Sequence, residues 1–192
     1  MAADETDGVT MWLARHGQTE WSQNGRHTGT TDLPLLPEGE AAAEELAERL
    51  DGQQFDLVLT SPMRRARHTA ELAGFGHAQV DPDLVEWNYG AYEGRTTAQI
   101  RESDPDWTVW NHGVPDGETA DDVARRVDRV IAKARESGGA TLVFGHGHAL
   151  RALTARWLEQ PVADGRLYKL DTATVSTLGY ERETPVILRW NA

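Results

Sequence analysis

Three stretches of the chain are apolar almost without interruption, and each runs into a small polar cluster: Val9–Ala14, Phe55–Thr60 and Ala140–Gly145. Runs of this length without strict alternation fit strands covered on both faces, as in a parallel sheet. Between them the period changes. Pro37–Leu50 (PEGEAAAEELAERL) combines strong helix formers, acidic residues in the first turn and Gly52 just past its end, which predicts a helix. Ser61-Pro62 reads as an N-cap followed by proline at the first helical position, so a second helix is predicted from there to Gly74. Val123, Val127, Val130, Ile131 and Ala134 recur at helical spacing within Thr119–Glu136, and Gly138-Gly139 ends the run. Ala149–Leu158 reads as a further helix, and Thr174–Tyr180 and Pro185–Trp190 as two late strands paired at an edge. This alternation implies an α/β fold, a three-layer α/β/α sandwich with a mainly parallel central sheet. Gly74–Trp110 is rich in loops and poor in helix, a candidate lid or pocket wall.

Length and composition narrow the choices. With 192 residues, one domain spanning 1–192 is expected, and the acidic residues 1–8 read as a flexible N-terminal tail. A formal charge of −12 repels nucleic acid and anionic lipid, so neither is an expected partner. A small anionic substrate would need a local cationic pocket. No basic and apolar leader and no bilayer-length run are visible, which makes a soluble cytoplasmic protein the expectation. The absence of cysteine removes disulfides, thiolate metal sites and cysteine nucleophiles. Nothing in the pattern calls for a cofactor, and a homodimer is left open.

In open parallel sheets, polar residues placed just after buried strands converge on one crevice at the strands' carboxyl ends. The first strand delivers Arg15-His16-Gly17, the second Ser61-Pro62-Met63-Arg64-Arg65, and the third Gly145-His146-Gly147-His148. Each cluster alone is weak, since a strand-end histidine is commonly a hydrogen-bonded structural residue. Together, two imidazoles, two guanidiniums and a helix N-terminus make a site for a dianionic phosphoryl group, because arginine forks match phosphate oxygens and free N–H groups add positive potential. Neighbouring positive charge keeps an imidazole neutral, and a neutral imidazole can attack phosphorus. The leaving alcohol needs a proton. Glu86 follows a short apolar segment beside Trp87, Tyr89 and Tyr92, surroundings that favour the protonated carboxyl; the alternative is a surface loop carboxylate.

The motifs ARHGQTEW, GRHTGTTDLPLLPEGE, SPMRRARHTAE, EWNYGAYEG, DGET and GHGHALRAL, in that order from Leu13 to about Trp157, resemble those of the histidine phosphatase superfamily, the phosphoglycerate mutase-like proteins. The resemblance implies a phosphohistidine mechanism without a metal. It makes His16 the nucleophile, Arg15, Arg65 and His146 the holders of the phosphoryl oxygens, and Glu86 the proton donor and later the base for water. Arg65 is preferred to Arg64 because the family's arginine directly precedes an alanine, here Ala66. On the substrate side the resemblance places Ser22, His148 and the loop residues His27, Thr28 and Gly29; an exposed turn is the alternative for that loop. Ser22 and His148 stand where the family's mutases carry asparagine, and a mutase's arginine-bearing insertion has no counterpart between Glu86 and His146. The chain is therefore more similar to the broad-specificity acid phosphatases and sedoheptulose-bisphosphatase-like enzymes. The expected activity is metal-independent hydrolysis of small phosphorylated metabolites. The alternatives are a 2,3-bisphosphoglycerate-dependent phosphoglycerate mutase and a non-catalytic module that binds a phospho-ligand.

Other residues carry two readings each. His146 and His148 could share a metal ion, although no acidic ligands adjoin them. Trp21, Trp87, Trp107 and Trp110 suit core or lid packing better than substrate stacking. Glu93 is either a supporting carboxylate or a loop charge. His68, His77 and His112 fall in no motif.

Overall fold

The protein, known here from a computed structural model, is described over residues 8–192; the expected tail lies outside this range except for Gly8. Six strands form one sheet: β1 (Thr10–Arg15), β2 (Leu57–Thr60), β3 (Gln79–Val80), β4 (Ala140–Gly145), β5 (Val175–Glu181) and β6 (Thr184–Arg189). Their order is β3-β2-β4-β1-β5-β6. The first four are mutually parallel, and β5 and β6 add an antiparallel hairpin at one edge, as predicted for the late strands.

The uninterrupted apolar runs are explained by cover on both faces. Leu13, Leu59, Val143 and Leu178 pack with α5 (Ala120–Ser137) and α6 (Gly147–Trp157), whereas Ala14, Val58, Leu142, Phe144 and Val175 pack with α2 (Pro37–Leu50) and α3 (Arg64–Leu72). The three layers are those expected. α5 matches its predicted span because its ends are chemically marked. Thr119 caps the first turn reciprocally with Asp122, and Gly138 leaves in the left-handed region at φ 73°.

One expectation needs correction, and one open choice is narrowed. Ser61 does not cap a helix: its Oγ accepts from Met63 N (3.3 Å) in a local turn, and α3 begins only at Arg64, whose N–H is capped by Asp32 Oδ1 at 2.8 Å. A hydroxyl two residues before an N–H satisfies a turn as readily as a helix start, so the two signatures coincide. The Gly74–Trp110 excursion, read as a lid or a pocket wall, packs as a wall. It contains β3, α4 (Thr97–Arg101) and two short 3₁₀ turns, and it buries Leu84, Trp87, Tyr89, Ile100, Trp107 and Val109 in the core. α1 (Glu20–Asn24) is a further short helix. No helix among the described residues is long and apolar enough to cross a membrane.

Candidate active site

The parallel register sets the site. Arg15 pairs with Gly145 at the aligned carboxyl ends of β1 and β4, and His16 N–H donates to Gly145 O at 3.0 Å. Ser61 N–H, after β2, donates to Phe144 O at 3.0 Å. The three polar clusters therefore meet, as the strand pattern predicts. The rings of His16 and His146 lie edge to face, 5.2 Å between centroids.

His16 is 5 % exposed. Its Nδ1 lies 2.7 Å from Gly17 O, an acceptor only, so Nδ1 carries the proton and Nε2 holds the free lone pair. Burial, then the charges of Arg65 and Arg15, push its pKa well below the ordinary histidine range, against the Gly17 bond. The loop after His16 is braced by α2. A Cβ on Gly17 would sit 2.3 Å from Gly39 O, so both positions need glycine for this approach.

Arg15 reaches across to Leu170 O through Nη1, while its buried Nε has no hydrogen-bond partner among the described residues. A buried cationic N–H without an acceptor marks a place for an anion. Its guanidinium lies over Gly147, where a Cβ would meet Cζ at 3.3 Å.

Arg65 and His146, fully buried, face each other. Arg65 Nε donates to His146 Nδ1 (3.2 Å), Nη1 to Thr31 O (2.9 Å), and Nη2 to Thr28 O (3.1 Å) and Gly29 O (3.0 Å). His146 consequently carries its proton on Nε2, 2.7 Å from Ser61 Oγ. Burial and the Arg65 charge hold the His146 pKa well below its ordinary value. Four of the five Arg65 N–H groups are thus already bonded to protein. Arg65 and His146, expected to hold phosphoryl oxygens, are here bonded to one another, and Arg65 also braces the 28–31 loop. Glu93 braces the same loop from its amide side, accepting from Gly29 N and Thr31 N, which resolves its two readings in favour of a supporting carboxylate.

Glu86 is buried, but its surroundings are not purely apolar. Oε1 accepts from Trp87 N (2.8 Å) and Ala149 N (2.8 Å), and Oε2 from His148 N (2.9 Å). The first turn of α6 therefore points at Glu86, and the first N–H of α3 at Asp32, so neither helix start is wholly free for phosphate as expected. Apolar and hydrogen-bonded sites look alike in sequence because α6 lies some sixty positions away.

The cleft, about 220 Å³, is lined by Arg15, His16, Glu86, Ser22, His27, Thr28 and His148 of the predicted set, and by Arg26, Tyr89, Gly147, Arg151 and Leu170 besides. Arg65, His146 and Gly29 of the predicted set do not line it. Tyr89 OH lies 2.5 Å from His148 Nδ1. Burial and the nearby Glu86 charge raise the phenol's pKa well above its ordinary value, so it donates, leaving the His148 proton on Nε2. With the His146 nitrogens on Arg65 and Ser61, the two histidines do not converge on one ion. His27 packs on Tyr89 (4.8 Å) and Trp107 (5.3 Å), and burial lowers its pKa to about 4. Trp87 and Trp107 are core residues, and Trp110 packs on Trp87 and His148. Arg151, one helical turn beyond Gly147, lies over Trp110 at 4.8 Å. Its i, i+4 spacing from Gly147 was the available signal; for Leu170, 155 positions from Arg15, there was none.

The chain is similar to known proteins over most of its length. The model of the histidine phosphatase superfamily (branch 1) matches residues 11–192. An acid phosphatase of Mycobacterium tuberculosis is 44% identical over 175 residues, covering 89% of this chain and 86% of its own. A sedoheptulose 1,7-bisphosphatase of Saccharomyces cerevisiae is 37% identical over 178 residues, covering 76% and 66%. The solved structure of an open reading frame product of Mycobacterium tuberculosis superposes with a TM-score of 0.91 at 41% identity, covering 95% of this chain and 96% of that one. The chain belongs to the histidine phosphatase superfamily, branch 1, and is a phosphatase.

Proposed function

We propose that the chain is a phosphomonoesterase of the acid phosphatase type that hydrolyses small phosphorylated metabolites through a phosphohistidine on His16. The observation that carries this is the tautomer of His16: Gly17 O fixes the proton on Nδ1 and leaves the Nε2 lone pair free, in a ring that lines the same cleft as Arg15 with its unpaired Nε. His16 Nε2 attacks phosphorus as the ester P–O bond breaks, and Glu86 gives its proton to the leaving alcohol oxygen. Oε2, which accepts one N–H where Oε1 accepts two, is the oxygen that carries this proton. Water then attacks the phosphohistidine, its proton passing to Glu86 as the N–P bond breaks. Arg15 balances the phosphoryl charge throughout, and Arg65 and His146 complete the cage once the bond between them opens. The lining holds three arginines against one carboxylate in a chain of net charge −12, which supports a small anionic substrate. Ser22, His27, Thr28 and His148 line the same cleft, which supports assigning them to the leaving group.

Phosphate release from a panel of sugar, glyceryl and aryl phosphates, with phosphoglycerate interconversion run in parallel, tests the proposal. Hydrolysis of several esters, independent of added bisphosphoglycerate, is expected. Interconversion outrunning phosphate release would assign a mutase, and no turnover of any ester would overturn the proposal.

A further inference from the structure

Glu86 sits on a short connection between the 3₁₀ turn Pro82–Leu84 and the cleft, and that connection is gripped on both sides of it, by Arg126 of α5 and by Glu118, which immediately precedes the Thr119 cap of α5. On the upstream side, Arg126 Nη1 donates to Asp83 O (3.0 Å) and Val85 O (2.8 Å). On the downstream side, Asn88 N donates to Glu118 Oε2 (2.9 Å), and Trp87 Nε1 to Glu118 O (2.9 Å). The two grips are joined into one body, because Arg126 Nε and Nη2 fork onto Glu118 Oε1 (2.8 Å) and Oε2 (3.0 Å). Arg126 is 5 % exposed and does not line the cleft. None of its hydrogen bonds goes to Glu86.

We propose that Arg126 and Glu118 are positioning residues for the proton donor: the pair fixes the backbone on either side of Glu86 so that its carboxyl meets the leaving oxygen at proton-transfer distance. The inference rests on the assignment of Glu86 as donor. Division of labour follows from the partners. The first turn of α6 fixes the carboxylate oxygens, whereas α5 fixes the main chain that carries them. A guanidinium suits this place because its planar fork serves two carbonyls and both oxygens of one carboxylate at once, which an ammonium cannot do. Farther out, the exposed Arg129 and Lys133 pair with the part-buried Asp83 and the buried Asp81, and these pairs reach only the start of the connection. General acid catalysis is steeply sensitive to reach, and a misplacement near an ångström costs on the order of a hundredfold.

A merely structural pair and a positioning pair differ in what they do to leaving groups. The test compares Glu118→Gln and Arg126→Lys with the parent, using kcat/KM for glycerol phosphate, whose alcohol needs the proton, and for p-nitrophenyl phosphate, whose phenolate does not. Inhibition by inorganic phosphate reports the phosphoryl pocket, and circular dichroism reports the fold. The expected result is a loss of roughly tenfold or more on glycerol phosphate against about twofold on the aryl ester, with phosphate inhibition unchanged. In a Glu86→Gln background the same substitutions should cost nothing further on glycerol phosphate. Equal losses on both esters, weakened phosphate inhibition, full additivity with Glu86→Gln, or unfolding of both variants would each overturn the proposal in favour of a structural pair. Failure of the underlying assignment looks different: Glu86→Gln alone would then slow both esters alike.

Discussion

Replacement of Ser61 by alanine separates a helix cap from a part of the catalytic site. The substitution removes one atom, Oγ, which accepts from Met63 N at 3.3 Å and lies 2.7 Å from His146 Nε2. Both Ser61 and His146 are fully buried, so no water replaces the lost partner. With Arg65 Nε bonded to Nδ1, the His146 proton is confined to Nε2 and is left without an acceptor. An orphaned buried donor costs about 1–3 kcal/mol, which in a chain of this size lowers Tm by roughly 2–12 °C. The imidazole escapes the penalty only by moving its proton to Nδ1, which breaks the bond to Arg65 and releases the guanidinium that braces the 28–31 loop. Thermal melts at pH 7.5 together with kcat/KM on one aryl phosphate give the readout. Lower Tm and a kcat/KM reduced about tenfold, the effect of disturbing one oriented charged group, are expected. An unchanged Tm with unchanged kcat/KM refutes the Ser61–His146–Arg65 chain of contacts.

Acid should destabilise the fold through its buried imidazoles. His16, His27, His146 and His148 all have folded pKa values held down, chiefly by burial, so their contribution to stability is full above the unfolded value near 6.5 and is lost as pH falls below it. For His27, held to about 4, this is about 1.4 kcal/mol per pH unit below 6.5 and roughly 3 kcal/mol by pH 4; urea unfolding from pH 7.5 to 5 checks it, and a flat profile contradicts it. Gly147→Val should crowd the Arg15 guanidinium, which a Cβ already meets at 3.3 Å, and raise the inhibition constant of inorganic phosphate about tenfold or more, the scale of one charge-assisted hydrogen bond; an unchanged constant would free Arg15 from that role. Chelators should leave turnover intact, because guanidiniums and imidazoles supply the positive charge; activity lost in EDTA and restored by zinc or manganese would restore the metal reading of His146 and His148.

What the sequence makes legible divides along physical lines. β1, β2 and β4 stand out because strands covered on both faces need continuous apolar runs, and the ends of α5 stand out because Thr119 and Gly138 are local chemical signals. The polar clusters after those strands are legible for the same reason, since parallel register alone brings Arg15, His16 and His146 together. Ser61 is misleading because a local turn and a helix cap use the same hydroxyl, and its decisive partner lies 85 positions away. Leu84, Trp87, Tyr89, Ile100, Trp107 and Val109 are core residues without a period, which is why the wall that carries Glu86 resembles a loop. Glu86 itself is visible beside its aromatics, whereas the N–H groups of His148 and Ala149 that hold it belong to α6 and come from tertiary folding alone. Arg26 and Arg151 are overlooked because arginines on a turn and on a helix ordinarily face water.

The proposed chemistry depends first on the covalent role of His16. Rapid acid-free quenching of the enzyme during turnover of a phosphate ester labelled on phosphorus, followed by digestion and mass analysis, tests it most directly. A base-stable, acid-labile phosphoryl group is expected on the peptide carrying Arg15-His16-Gly17, on Nε2 because Gly17 O holds the Nδ1 proton, with no label in His16→Ala. A parent enzyme that turns over while its peptides stay unlabelled, or a His16→Ala variant that still acquires label or keeps its activity, would contradict it.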